Sequence, residues 1–263
     1  MTTKNRISKT LLDDLVKKYE TKDFILEDPI QFAHKGLSKT DKELMGFIAS
    51  LFAYGNRKVF IKFLNKLFES TQQEITNYIK NGDFNNLKGL EYRFSKDYDI
   101  IPIFEILHIL YNESSGLEEL FAYSYKQNNS QELNLHFFQY IIDYFYIRAP
   151  KHASQGFYHM LPNPQNQGAM KRMNMFLRWM IRKSEVDLGI WNFITPANLL
   201  IPLDVHVSRI SKNMGLLNRK SNDFKAVLEL TNNLKKYCPE DPIKYDFAMF
   251  AFGVELNSIK AEV

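Results

Sequence analysis

The chain has 263 residues, 45% hydrophobic and 14% aromatic, with 34 Lys and Arg against 30 Asp and Glu for a net charge of +4. A single cysteine, Cys238, excludes an intrachain disulfide framework and any four-cysteine zinc or iron–sulfur site, and points to a reducing setting. No apolar run approaches the roughly 18 residues of a membrane span, and the opening MTTKNRISKTLLDDLVKKYE lacks the apolar centre of a signal peptide, so a cytoplasmic protein is expected. The length is near the upper size for one core, so a single helical domain over 1–263 and two intimate lobes, termini and middle, are both open.

Taken in chain order, helical periodicity dominates. Leu44, Phe47, Ile48, Leu51 and Phe52 form one apolar stripe over 41–54, with Ser38 or Thr40 as its cap. Gly55-Asn56 breaks it, and Val59, Phe60, Phe63, Leu64 and Leu67 form a second stripe. The segment 81–99 is polar and reads as irregular. IPIFEILHILY, 101–111, reads as a buried helix with Pro102 near its first turn. Further helices are expected over 133–147, 169–181, 204–214, 223–237 and 242–252, while the start of the chain and the tail IKAEV read as peripheral. Alternating strand patterns are scarce. The expectation is an all-α, two-lobed helical bundle of about ten helices.

Chemistry-bearing residues concentrate between Leu161 and Leu217. Lys171 falls in the first turn of its helix, with Arg172, Arg178, Arg182 and Lys183 on the same segment. A charge run of this kind is a solvated basic face or, alternatively, a place where a helix N-terminus and nearby cations lower an ammonium pKa and free a nucleophilic amine. At about 100° per residue, 171, 175, 178 and 182 share one side, expected to border a cleft; 172, 176, 179 and 183 share another, with Phe176 and Trp179 largely buried. Asp204 reads as the N-cap of the helix bearing His206 and Arg209, a plain cap or a carboxylate held ionised to stabilise a cation. His152 and His159 have no partners at metal-ligand spacing, so no metal is expected.

The string L203-D204-V205-H206-V207-x-R209-I210-x-x-x-M214-G215-L216 resembles the V-D-T-H-V-x-R-V-x-x-R-L-G-L of the helix–hairpin–helix DNA glycosylase superfamily. Lys171, Phe176, Leu177 and Arg178 are similar to the K-x-x-x-x-F-L-R of its 8-oxoguanine branch. Asp41–Glu69 resembles its opening helix pair, and Tyr245–Gly253 its late helix with an aromatic start and a glycine end. KRMNMFLRWMIR, DLGIW and IPLDVHV also resemble an uncharacterised bacterial family placed beside these enzymes, over most of the chain.

The resemblance implies a glycosylase-like fold, duplex DNA as partner, a monomer, nucleoid association and no cofactor. It implies excision of a damaged base flipped from the stack. Lys171 would be the nucleophile forming a Schiff base, with strand cleavage to follow, and Asp204 the carboxylate that steadies positive charge on the sugar and helps deprotonate the nucleophile. Asn56, Arg57, Lys58, Gln167, Gly168 and Arg172 would contact DNA. Phe176, Trp179 and Trp191 would line the base pocket or fill the core, and His206 and Arg209 would support the Asp204 helix. A non-catalytic nucleic-acid-binding protein with the same fold is the alternative. There are three departures. The L-P-G-x-G hairpin of the family, whose amides grip phosphate, is LPNPQNQG at 161–168; Asp204 lies 33 positions after Lys171, so an insertion surrounds Trp191; and the cluster cysteines are missing.

Overall fold

The computed structural model describes residues 7–71, 74–128 and 130–261, with side chains described through Val254. Among these residues there are thirteen α-helices, five short 3-10 segments and no β-strand beyond three isolated bridges. No described helix is long and apolar enough to cross a membrane. The chain divides into two compact units, 1–26 with 167–263, and 27–166.

Helix α1 (Lys9–Tyr19) opens the terminal unit, with Ser8 accepting from the Leu11 amide as its N-cap. It buries Leu12, Leu15 and Tyr19, a three- and four-residue stripe, against the last helix of the chain. Helix α1 is therefore part of the core, not peripheral as its acid-rich stretch suggested, and residues 1–6 lie outside the described residues. The stripe is only three residues long and its lysines and aspartates dominate the composition. The tail side chains lie outside the described residues.

The middle unit holds α2 (Ile30–Lys35), α3 (Lys39–Phe52), α4 (Arg57–Ser70), α5 (Ile75–Asn81), α6 (Asp97–Glu113), α7 (Leu117–Gln127), α8 (Leu135–Ile147) and α9 (Gln155–Met160). Helix α3 is buried around its circumference from Glu43 to Phe52, and α2, α4, α5 and α7 pack against it. Ser38 and Asp41 form a capping box at its start, and Asp41 also accepts from the Thr76 amide on α5 at 3.2 Å. Buried Glu43 accepts from the Tyr111 hydroxyl at 2.7 Å and from the Glu118 amide at 2.8 Å, so its charge is satisfied by α6 and α7. Helix α6 starts four residues before the expected 101, which leaves Pro102 inside it instead of in the first turn.

The terminal unit is completed by α10 (Lys171–Ile181), α11 (Val205–Asn213), α12 (Phe224–Lys235) and α13 (Tyr245–Ala261). Helix α13 is the hub, packed by α1 and α11. The insertion between α10 and α11 folds back onto the end of α10. Leu188 and Gly189 amides donate to the Trp179 carbonyl and the Trp191 amide to the Met180 carbonyl, satisfying groups a helix C-terminus leaves open. The helices beyond the expected ten include six-residue α2 and α9 and seven-residue α5, which are too short to show a period.

Candidate functional site

Lys171 is the first residue of α10, preceded by an unusual approach. Gln167 and Met170 both take left-handed backbone, at φ 53° and 49°, conformations that cost a non-glycine residue roughly 1–2 kcal/mol and persist only when the surroundings fix them. The surroundings here do so. The Phe224 amide at the start of α12 donates to the Gln167 carbonyl at 2.9 Å, Gly168 bridges Asp223, and buried Asn174 reaches back from α10 to donate to the Ala169 carbonyl at 3.1 Å.

Asp204 is the N-cap of α11. Its backbone is extended and its Oδ1 accepts from the Val207 amide at 2.8 Å. Buried Ile201, Pro202 and Leu203 anchor the approach, and Val205 just beyond is 69% exposed. The cap therefore stands at the edge of the core with its carboxylate half-buried. Helix α11 runs alongside α13 in a fixed register. The His206 ring meets Phe250 edge-on at 5.6 Å, and Arg209 Nη2 donates to the Gly253 carbonyl at 2.7 Å. Gly253 permits this approach, because a Cβ there would sit 3.1 Å from Ile210 Cγ1 and 3.3 Å from His206 Cβ. Both contacts pair residues 44 apart, so Asp204 lies level with the first turns of α13.

That turn carries Asp246, which the sequence reading passed over. It is 4% exposed and bonded to Arg178 Nη1 from α10. Arg178 Nε also donates to Asp187 at 3.1 Å, and Arg182 pairs with Asp187 at 2.9 Å, Asp241 at 2.7 Å and Glu20 at the end of α1 at 3.0 Å. Two guanidiniums thus face four carboxylates in a desolvated cluster, and the surplus of negative charge must be relieved by protons or nearby cations. Burial pushes the Asp246 carboxyl up to about 7, with the Asp204 charge acting in the same direction and the Arg178 and Lys171 charges opposing it. Lys171 and Asp204 therefore both lie within electrostatic reach of one buried acid. Burial also raises Asp241.

The other residues of the expected site fall in two places. Phe176, Trp179 and Trp191 are buried, and the Phe176 and Trp191 rings meet edge-on at 5.1 Å, so they fill the interior of the terminal unit. Arg178 and Arg182 do not line an open face of α10; they are enclosed by the carboxylates just named, and Lys183 alone of the helix end is exposed. Arg172 is half-buried, while Gln167 and Gly168 are exposed. In the 161–168 turn the donors are few: Pro162 and Pro164 have no N–H, and the Gln165 and Asn166 amides are already given to Asn163.

In the middle unit Asn56 caps α4, accepting from the Val59 amide at 3.4 Å, Arg57 pairs with Glu27 at 3.0 Å, and Lys58 is exposed. Beside them stands a tight turn in which Tyr92 and Ser95 exchange backbone bonds of 2.8 and 2.9 Å. Its tip is Arg93, at φ 54°, and Phe94, which is 58% exposed. Gly55, at φ 81°, packs so close to Arg93 that a Cβ would lie 2.5 Å from its Nη1. The exposed aromatic and basic pair was legible only as the R-F of a polar segment.

No curated protein and no solved structure matches the chain. Residues 28–255 match the family described as Protein of unknown function (DUF2400), which spans both compact units, and the chain belongs to that family.

Proposed function

We propose that the protein is a DNA-repair N-glycosylase with associated strand cleavage, built on a helix–hairpin–helix glycosylase-like fold. The observation that carries this reading is the convergence of Lys171 at the start of α10 and Asp204 at the cap of α11 on the buried Asp246 of α13. An amine and a carboxylate, both half-buried beside one buried acid, are the groups that glycosidic chemistry through a Schiff base requires. The amine attacks the sugar carbon, the glycosidic bond breaks with its electron pair on the base, and the carboxylate stabilises the positive charge of the transition state. Within the middle unit, exposed Asn56 and Lys58 and the Arg93-Phe94 turn form a basic and aromatic surface of a kind suited to nucleic acid.

The direct test is borohydride trapping on duplexes carrying oxidised, alkylated or deaminated bases and an abasic site. A covalent complex lost in Lys171→Gln supports the reading. A parent protein that traps none of these, yet shifts the same duplexes on a gel, makes it a non-catalytic nucleic-acid-binding protein instead. The sparse amide donors of the 161–168 turn are the observation that favours that second reading.

A further inference from the structure

Within the terminal unit, the segment that joins α11 to α12 is bonded to both of the elements that carry Lys171 and Asp204. On the α10 side, the Phe224 amide donates to the Gln167 carbonyl at 2.9 Å and Asp223 bridges Gly168. Asn174 holds the next carbonyl, that of Ala169, so Lys171 begins α10 from an approach pinned at three successive residues. On the α11 side, Asn222 Oδ1 accepts from the Ser208 hydroxyl at 2.6 Å and from Lys212 Nζ at 3.3 Å. The Ser208 amide in turn donates to the Asp204 carbonyl at 2.9 Å and closes the first turn of α11. Hydrogen bonds and peptide bonds thus run unbroken from the Asp204 cap to the residues just before Lys171. Neither side chain needs this link for its own sake. A helical serine can place its hydroxyl on a carbonyl one turn back, as Ser50 does on Phe47 at 2.7 Å and Ser70 on Lys66 at 3.0 Å. Buried Ser208 reaches out of its helix instead. Asn222 is exposed, where water would serve it, and the cap of α12 is its neighbour Asp223, which accepts from the Ala226 amide at 3.1 Å.

We propose that Ser208 and Asn222 are positioning residues that set the Asp204 cap against the approach to Lys171, with the 222–224 segment as a brace between α11 and α10; this rests on the glycosylase reading. Neither residue touches the substrate, and both act through Asp204. At about 100° per residue, Ser208 lies about 200° round α11 from His206 and about 100° from Arg209, so the brace restrains a different side of the helix from their contacts with α13. Attack by an amine on a sugar carbon opposite a stabilising carboxylate needs both groups held in one geometry, and a displacement of about 1 Å costs on the order of 100-fold in rate. The brace is built from side-chain bonds to one exposed residue, so it can be cut without opening the core.

The test is the rate of borohydride trapping on an abasic duplex with the full chain in saturating excess, beside the duplex Kd from gel shifts and a thermal melt. Asn222→Ala should trap about tenfold more slowly or worse, with Kd within about twofold of the parent and the melt nearly unmoved. Asn222→Asp keeps an acceptor for the Ser208 hydroxyl and should retain at least about a third of the parent rate. Ser208→Ala should match Asn222→Ala, and the double variant should be no slower than either, because both cut the same link. A role confined to folding would shift the melt without this split between rate and Kd. Single variants that trap as fast as the parent, losses seen only in Kd, or losses that add in the double variant overturn the brace while leaving the glycosylase reading intact. The exposed Asn222 variants decide the matter even if Ser208→Ala fails to fold. A parent that traps nothing removes the glycosylase reading itself, and the brace with it.

Discussion

Arg178 and Asp246 meet as an ion pair inside the terminal unit, each less than 6% exposed at its side chain. A pair so fully desolvated contributes little over an apolar pair of the same shape, but removing one partner leaves a stranded charge. Arg178→Met strands Asp246 and removes one of the two partners of Asp187, and should cost about 3–5 kcal/mol in urea unfolding. Asp246→Asn should cost clearly less, because Arg178 keeps Asp187 at 3.1 Å. Equal losses from the two would mean that the charges are not enclosed as described.

The same carboxyl sets a pH dependence. Its folded value, about 7, is raised above the 3.8 of an ordinary aspartate, so the fold prefers the protonated form. The stabilisation is complete below the unfolded value and is lost as pH rises through about 7. Between pH 6 and pH 8.5 the chain should lose about 1–1.5 kcal/mol from this group. Asp241, also raised by burial, acts with the same sign. Asp13, drawn down to about 2 chiefly by its bond to Lys9, has the opposite sign and acts only in acid. Chemical denaturation of the parent and Asp246→Asn across this range isolates the Asp246 share. A difference between them that does not change with pH contradicts it.

Catalysis and stability should separate at Asp204. Asparagine keeps the cap acceptor, so Asp204→Asn should cost no more than about 1 kcal/mol. It loses the charge opposite the sugar, so base excision should fall by roughly 100-fold or more. Lys171→Gln should abolish the trapped complex, since an amide forms no imine. Single-turnover excision beside a thermal melt reads both effects, and an Asp204→Asn enzyme as fast as the parent ends the assignment.

The α11–α13 contact should be intolerant of bulk. Gly253→Ala gains about 1 kcal/mol of helix propensity and loses a similar amount to the close contacts with Ile210 and His206. Gly253→Val adds two methyl groups beyond alanine at the same point and should cost about 2 kcal/mol or more, and should lower excision by displacing the Asp204 end of α11 from α13. A valine variant with unchanged stability would show that the helices slide apart freely.

The fold class was legible because α3, α8 and α12 are long and their stripes regular; the short α2, α5 and α9 carry less than two turns of pattern each. Asp204 was legible as a cap because Pro202 and the apolar run before it mark a helix start. The cluster was not. In KRMNMFLRWMIRK the arginines read as one charged surface, and their burial depends on Asp187, Asp241, Asp246 and Glu20, which lie 5 to 162 residues away. YDFAMFAFG reads as core with one misplaced aspartate, and only the opposing guanidinium explains why that aspartate is there. The aromatic residues of α10 allowed both a pocket and a core reading, because stacking on a base and packing on a neighbouring ring need the same side chains.

The terminal unit has a discontinuous chain, and that affects how the protein is made. Helix α1 leaves the ribosome before the helices it packs on: the Tyr237 hydroxyl donates to the Ile7 carbonyl across 230 residues. At about 5–20 residues per second, its partners follow roughly 12–46 s later. Over that interval the 27–166 segment, which is contiguous and rich in local helix pairs, has everything it needs to collapse. Nascent α1, with Leu12, Leu15 and Tyr19 uncovered, is the stretch on which a chaperone that guards emerging apolar surface would act.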